Sequence, residues 1–574
     1  MKLSIPIFIF VILSITIQKA SAQSDSLPSF GAPLPIPMFL AGNFAELRGG
    51  HFHGGIDIKT NQTEGIPVLA AEDGYISRVK ISLGGYGNAL YITHPNGYTT
   101  AYGHLQRFNR EIHKFVLEQQ YSQKKFTIER FFTASQIPVK KGDTIALSGN
   151  SGGSGGPHLH FEIRKTIGSV PQNPLLFGFD IQDTITPTLK NIGIYPMNDT
   201  SFINGQNEPL ILPLVKRGNS YTISSKKQFK ARGVLGFGIE AIDKLNGSHN
   251  VCGVYNISLS ADSHLIYSHQ MDEVRFENSR FIQTHVDFHE AKKNRRKIQK
   301  SFLTTYNNLR IYKNVKNRGL VYFSKYGHAL DYSIIDAYGN KSTVGFQIGF
   351  DSLSYPIKQE TDTFSLFTYK QNGYYESDEL KVNIPKYSLY ENLKFKTSST
   401  DTLKNGVSRV HYIQDLYTPL QKKMTVTIKT KEATQAEGNK FFAVSLTKEL
   451  RTLAPEGGLF NNGWISFRTR SMGPYTILED TVPPVIKPVN FSKSMTNIHE
   501  LSQLKWKAQD TMSGVKTYEA FIDGEWHLLE YDYKTNLVWI NLDHHLPEPG
   551  EHLLEVKIGD SVNNFKTFSF NFIW

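Results

Sequence analysis

Apolar residues alternate with polar ones in short runs along most of the chain, and Gly, Pro, Asn and Asp separate the runs. This is the pattern of half-buried β-strands. Pro67-Val68-Leu69-Ala70-Ala71 leads through Asp73-Gly74 to Tyr75-Ile76-Ser77-Arg78-Val79. Ala89 to His94 and Tyr98 to His104 flank Pro95-Asn96-Gly97, which predicts a hairpin with His104 at a strand end. Residues 106–135 break the pattern. There Phe108, Ile112, Phe115, Val116 and Gln119 recur at helical spacing in a charged, glycine-free stretch, so a helical insertion is expected. Strand character returns at Ile137-Pro138-Val139, turns at Lys141-Gly142-Asp143, and runs through Leu147 into a glycine-rich loop, Gly149 to Gly156.

Beyond Asp180 the segments are again β-like, and a weak repeat emerges. Asp183-Thr184-Ile185-Thr186-Pro187 matches Asp480-Thr481-Val482-Pro483-Pro484 in type and spacing. Ala241-Ile242-Asp243 through Gly253-Val254-Tyr255 matches Ala508-Gln509-Asp510 through Gly514-Val515 and Tyr518. Each unit closes on Asp-x-x-x-Asn, at Asp336 to Asn340 and Asp560 to Asn564. Two copies of one β-sandwich module of Ig-like type are therefore expected, at about 183–350 and 480–574. The first copy carries an insertion, and residues 351–479 form a further β-rich unit matching neither.

Length and composition narrow the picture. A chain of 574 residues exceeds a single core, and 37 Phe, 28 Tyr and 5 Trp exclude a disordered polar chain. The expected class is mainly β, with several domains. Lys2 precedes an apolar run from Ile5 to Leu13 that fades by Ile17, too short to span a membrane. Ala20-Ser21-Ala22 follows, so residues 1–22 read as a secretory signal peptide, with no membrane span left after its removal. Cleavage removes Lys2 and Lys19 and no acid, taking the formal charge from +11 to +9. A basic exported protein suits an anionic envelope polymer. The basic cluster Lys292-Lys293-Asn294-Arg295-Arg296-Lys297 lies in no recognisable nucleic-acid module, so it reads as a solvated face and no nucleic-acid partner is expected. The single Cys252 has no partner for an internal disulfide and reads as a small core residue.

The chemistry concentrates before residue 180. Histidine and aspartate gather at His51-Phe52-His53-Gly54-Gly55-Ile56-Asp57, at His104, and at Pro157-His158-Leu159-His160-Phe161-Glu162. Two glycines between His53 and Asp57 argue for an extended segment rather than a helix. In His158-Leu159-His160 the spacing of two puts both imidazoles on one side of a strand, with Leu159 and Phe161 facing a core. Two His and one Asp suit zinc, leaving a fourth position for water or substrate.

Arg48 to Asp57, Gly65-Ile66-Pro67-Val68-Leu69-Ala70, Asp73-Gly74-Tyr75, Ala101-Tyr102-Gly103-His104-Leu105 and Gly149 to Glu162 together resemble the lysostaphin-type, or LytM-like, zinc metallopeptidases of family M23. The resemblance covers about 130 residues. It implies a compact antiparallel β-sheet peptidase domain over 23–180, with His53, Asp57 and His160 as zinc ligands. It places His104 and His158 as catalytic residues that handle the water proton or the oxyanion. The implied activity is hydrolysis of peptide cross-links of bacterial peptidoglycan by an exported, periplasmic or secreted endopeptidase. The β-sandwich modules would position the enzyme or bind an envelope protein. The alternatives in another class are a non-catalytic adaptor that holds peptidoglycan or activates another hydrolase, and an envelope scaffold dominated by the C-terminal domains. His51 lacks the four-residue spacing to Asp57 and reads as a groove or surface residue. The insertion, following His104 directly, is placed to narrow or cover the groove.

Overall fold

The structure, a computed structural model, describes residues 27–574 apart from Asn219, Lys226, 358–362, 493–497, His544 and Leu546. The signal peptide expected at residues 1–22 lies outside the described residues. The described chain is mainly β.

The N-terminal part is built on an antiparallel sheet. In spatial order its main path runs Leu40–Gly42, Ile56–Lys59, His158–Lys165, Tyr98–Gly103, Asn88–Thr93, Gly74–Ile81 and Ile128–Phe131. The central strand His158–Lys165 shows why this sequence sits there. Leu159, Phe161 and Ile163 are fully buried on one face, while His158, His160, Glu162 and Arg164 occupy the other. Burying each large apolar side chain contributes about 1.5–3 kcal/mol, so the alternation fixes which face carries the polar set. Behind it a smaller sheet of Pro67–Leu69, Thr144–Ser148 and Leu105–Phe108 closes the core around Ile56, Ile58, Tyr102, Ile145 and Phe161.

The expected helical insertion at 106–135 is shorter than its apolar spacing implied. Only Arg110–Gln123 is helical, capped by the Asn109 side chain, which accepts from the Ile112 N–H. Phe108 ends the strand Leu105–Phe108, and Ile128–Phe131 is a strand paired with Gly74–Ile81. Phe108 and Ile112 are four apart, a spacing that a strand end followed by an N-cap reproduces as well as a helix does. Ile112 and Val116 join the core of the peptidase-like domain, and the far end of the helix presents Tyr121 to Trp526, His527 and His545.

Three further large apolar clusters follow along the chain. In the first, the strands from Thr188 to Phe350 form one network, and Phe229–Ile242 also pairs in parallel with Lys341–Phe350. The last cluster lies between two four-stranded sheets. Cys252 is buried, as expected for a small core residue. Among the described residues no helix is long and apolar enough to cross a membrane.

Candidate metal centre

Cross-strand register assembles the site. His160 lies opposite Asp57 on one neighbouring strand and opposite Gly103 on the other. Gly55 allows the close approach, because a Cβ there would stand 2.2 Å from the Phe161 carbonyl oxygen. His104 follows Gly103 with φ of 60°, a left-handed conformation that costs a non-glycine residue energy and is held by its N–H bond to the Tyr86 carbonyl at 2.8 Å.

His53, Asp57 and His160 are buried and converge. His53 Nε2 is 3.0 Å from Asp57 Oδ1 and 3.0 Å from His160 Nδ1, which is 2.9 Å from the same Asp57 oxygen. The outward nitrogens determine what the inward ones can be. His53 Nδ1–H donates to the Asn43 carbonyl at 2.7 Å, and His160 Nε2–H donates to Glu162 Oε1 at 2.9 Å. When neutral, both imidazoles therefore turn lone pairs toward a carboxylate oxygen. Three lone pairs at this distance repel unless a cation lies among them, and two imidazole nitrogens with one carboxylate oxygen are the donor set that zinc takes. The second Asp57 oxygen accepts from Arg48, which leaves Oδ1 as the oxygen that faces the two rings.

The same need for positive charge appears in the ionisation of the group. Burial alone would lower the His160 imidazolium, yet hydrogen bonds to Asp57 and Glu162 outweigh it and push it up to about 9. Burial would raise Asp57, but His53, His158 and His160 hold it well below the usual carboxylate range. Burial likewise would raise Glu162, and Arg164 with His160 brings it down to about 2.

His104 and His158 stand beside the triad, their ring centroids 4.7 Å apart. His104 Nδ1 bonds the Ser151 carbonyl at 2.8 Å, and His158 Nδ1 bonds the Gly156 carbonyl at 2.8 Å. Both acceptors belong to the glycine-rich loop, so this loop aims both rings. His158 Nε2 reaches to 3.4 Å from Asp57 Oδ1. Burial, then His160 and His158, lowers His104 to about 3, which keeps it neutral near pH 7.

All five residues singled out from the sequence thus lie in one cluster, and His51 is exposed outside the triad. The sequence reading left several partners unassigned. Glu162 and Arg164 were legible by alternation, two and four residues after His160 on the same strand face. Asn43, Arg48, Tyr86 and Ser151 carried no periodic or spacing signal, since each reaches the site from a separate turn or short strand.

The Peptidase family M23 model matches residues 51–122 and 117–174, and a Zu5-like domain model matches residues 365–480. The DD-carboxypeptidase/endopeptidase Mpg of Neisseria gonorrhoeae is 37% identical over 123 residues, 21% of this chain and 22% of that protein. The Murein hydrolase activator NlpD of Salmonella typhimurium is 33% identical over 165 residues, 29% of this chain and 36% of that one. Among solved structures, a zinc containing peptidase from Vibrio cholerae is 26% identical, covers 27% of this chain and 41% of that one, and has a TM-score of 0.20. The match therefore spans about a fifth of the length of Mpg. The N-terminal part of this chain carries a peptidase family M23 domain.

Proposed function

We propose that this chain is an exported, periplasmic or secreted zinc endopeptidase that hydrolyses peptide cross-links of bacterial peptidoglycan. The observation that carries the reading is the inward turn of two imidazole lone pairs onto the Asp57 carboxylate, with two further imidazoles alongside. His53 Nε2, Asp57 Oδ1 and His160 Nδ1 would hold the ion. A zinc ion there would act as a Lewis acid toward the scissile carbonyl and lower the pKa of water.

The chain's own groups account for the rest. His104, neutral and with Nδ1–H committed to Ser151, offers Nε2 to accept a proton. His158, fixed in the same way by Gly156, turns Nε2 toward the Asp57 oxygen, and once that nitrogen has taken up a proton it would donate toward a developing oxyanion. Tyr86 stacks on His160, centroids 4.8 Å apart, and its hydroxyl donates to Glu162, which holds the His160 ring plane. The substrate class follows from the relatives: Mpg is named for carboxypeptidase and endopeptidase activity. NlpD is named as an activator of murein hydrolases, and the adaptor reading rests on that name. A purely adhesive domain has no use for two imidazoles aimed by loop carbonyls, which favours the enzyme.

The test combines metal content and product. The purified chain should carry one zinc, lost in Asp57→Ala and His160→Ala, since the two remaining ligands bind weakly. His104→Ala and His158→Ala should keep zinc while turnover falls by roughly 10² to 10⁴. Digests of sacculi should lose cross-linked dimers and gain monomers, with no new reducing sugar ends. Full zinc occupancy in Asp57→Ala would falsify the ligand assignment. Zinc-loaded protein that leaves dimers intact would instead support the adaptor.

A further inference from the structure

Carboxylates gather at two other places, in corresponding positions of the two repeated modules. One oxygen from each of Asp183, Asp243 and Asp336 lies within 4.8 Å of the others, and Asp480, Asp510 and Asp560 repeat the arrangement. The surrounding bonds correspond as well. Asn340 Nδ2 donates to Asp336 Oδ2 at 2.8 Å and to the Asp183 carbonyl at 3.2 Å. Asn564 Nδ2 donates to Asp560 Oδ2 at 2.7 Å and to the Asp480 carbonyl at 3.0 Å. The Tyr338 and Asn340 N–H groups bond Asp336 Oδ1, as those of Val562 and Asn564 bond Asp560 Oδ1.

Acidic clusters are common, and a further observation separates these from a solvated patch. Asp243 is only 3% exposed, yet its Oδ1 has no hydrogen-bond partner. In the second copy the Ser513 hydroxyl is 2% exposed and equally unpartnered, while the Ser513 N–H bonds Asp480 Oδ2 at 3.2 Å. A buried polar atom left unpaired costs about 1–3 kcal/mol, and in the first module that atom belongs to the triad itself. Among the described residues, none of Asp183, Asp243 and Asp336 forms an ion pair with Lys, Arg or His. Three buried carboxylates without a counter-charge ask for a cation.

We propose that each module binds one calcium ion on its aspartate triad. The donors are all oxygen, which suits a hard cation and disfavours zinc or copper. Magnesium prefers to keep several of its waters, whereas these sites supply buried carboxylates and nearby carbonyls, the environment calcium accepts. Asp183 stands where the chain leaves the peptidase domain, and Asp480 stands where it enters the last module. Each ion would therefore tie a module's first residues to its closing Asp-x-x-x-Asn turn and stiffen the joint with the preceding unit.

The test uses the purified chain, dialysed free of calcium with its zinc restored, and titrated with calcium chloride by calorimetry and elemental analysis. Two calcium ions per chain are expected, one for each triad. Asp243→Asn and Asp510→Asn preserve size and should each leave one, and the double variant none, with zinc content unchanged. If a variant fails to fold, terbium luminescence of the wild type excited through tyrosine, and quenched by calcium, replaces it. No calcium uptake at millimolar concentration by the folded wild type would overturn the proposal. So would a count that stays at two in either variant, or magnesium saturating both triads as readily as calcium.

Discussion

At the scale of single residues, the site is controlled as much by what the outer atoms of its ligands touch as by the ligands themselves. Glu162 never faces the centre, yet it decides which His160 nitrogen carries the proton. It is fully buried, and Arg164 Nε donates to its other oxygen at 2.5 Å. Glu162→Gln keeps the shape and removes the charge, so His160 loses its basic partner and Arg164 is left unpaired. Metal affinity should fall about 10- to 100-fold with all three donor residues still present, read by competition with a chelating dye. An unchanged affinity would show that Glu162 does not tune the donor. Four of the five proposed site residues stood out because their spacing is short: Asp57 is four positions after His53, and His160 two after His158. Arg48 and Tyr86 did not, because their effect depends on a turn conformation that no short motif encodes.

At the scale of elements, the alternation in His158 to Lys165 forecast both the core face and the polar face, and the register did the rest by setting His160 against Asp57. Helical spacing was a weaker guide between 106 and 135, where an apolar strand end, a capped helix and an edge strand read as one long helix. Charged and β-branched residues at Ile128–Phe131 fit either state, and pairing with Gly74–Ile81 decided for the strand. The two Asp-x-x-x-Asn turns bond alike, Asp336 and Asp560 each accepting from the backbone N–H of the asparagine four residues on. The gap between strands Ile56–Lys59 and His158–Lys165 is itself an element of the site, and Gly55 sets it. Gly55→Ala would push a methyl group against the Phe161 carbonyl, which is backbone and yields only if the strands part. Asp57 and His160 ride on those two strands. Loss of stability and loss of metal affinity should therefore appear together, measured by thermal unfolding with and without excess zinc. A variant that is destabilised but binds metal as tightly as the wild type would separate the two.

At the scale of the molecule, other modules reach the cleft from two sides. The insertion of the first repeated module packs Met271, Val274 and Ile282 against Phe44, Leu47 and Phe52, beside the strand that leads to His53. Phe276 from this insertion lies under Arg164, 4.8 Å from its guanidinium. On the other side, Lys534 at a turn of the last module donates to the carbonyls of Asn150, a short contact, and of Ser154, at 3.2 Å. The loop it grips is the one whose Ser151 and Gly156 carbonyls aim His104 and His158. Tyr121 of the helix, packed on His545, holds the same module in place. The helix thus packs its far end against the last module. Because Lys534 touches the loop and not the triad, its removal should loosen the two imidazoles without disturbing the metal. An exposed pair of hydrogen bonds to a charged group contributes about 1 kcal/mol, which corresponds to about a fivefold change. Lys534→Ala should therefore keep its zinc and lose about fivefold in turnover of a small cross-linked muropeptide, with KM little changed. Lys534→Arg should restore most of it. A rise in turnover would mean that the last module shields the cleft instead of ordering it, and no change would leave the contact as architecture alone.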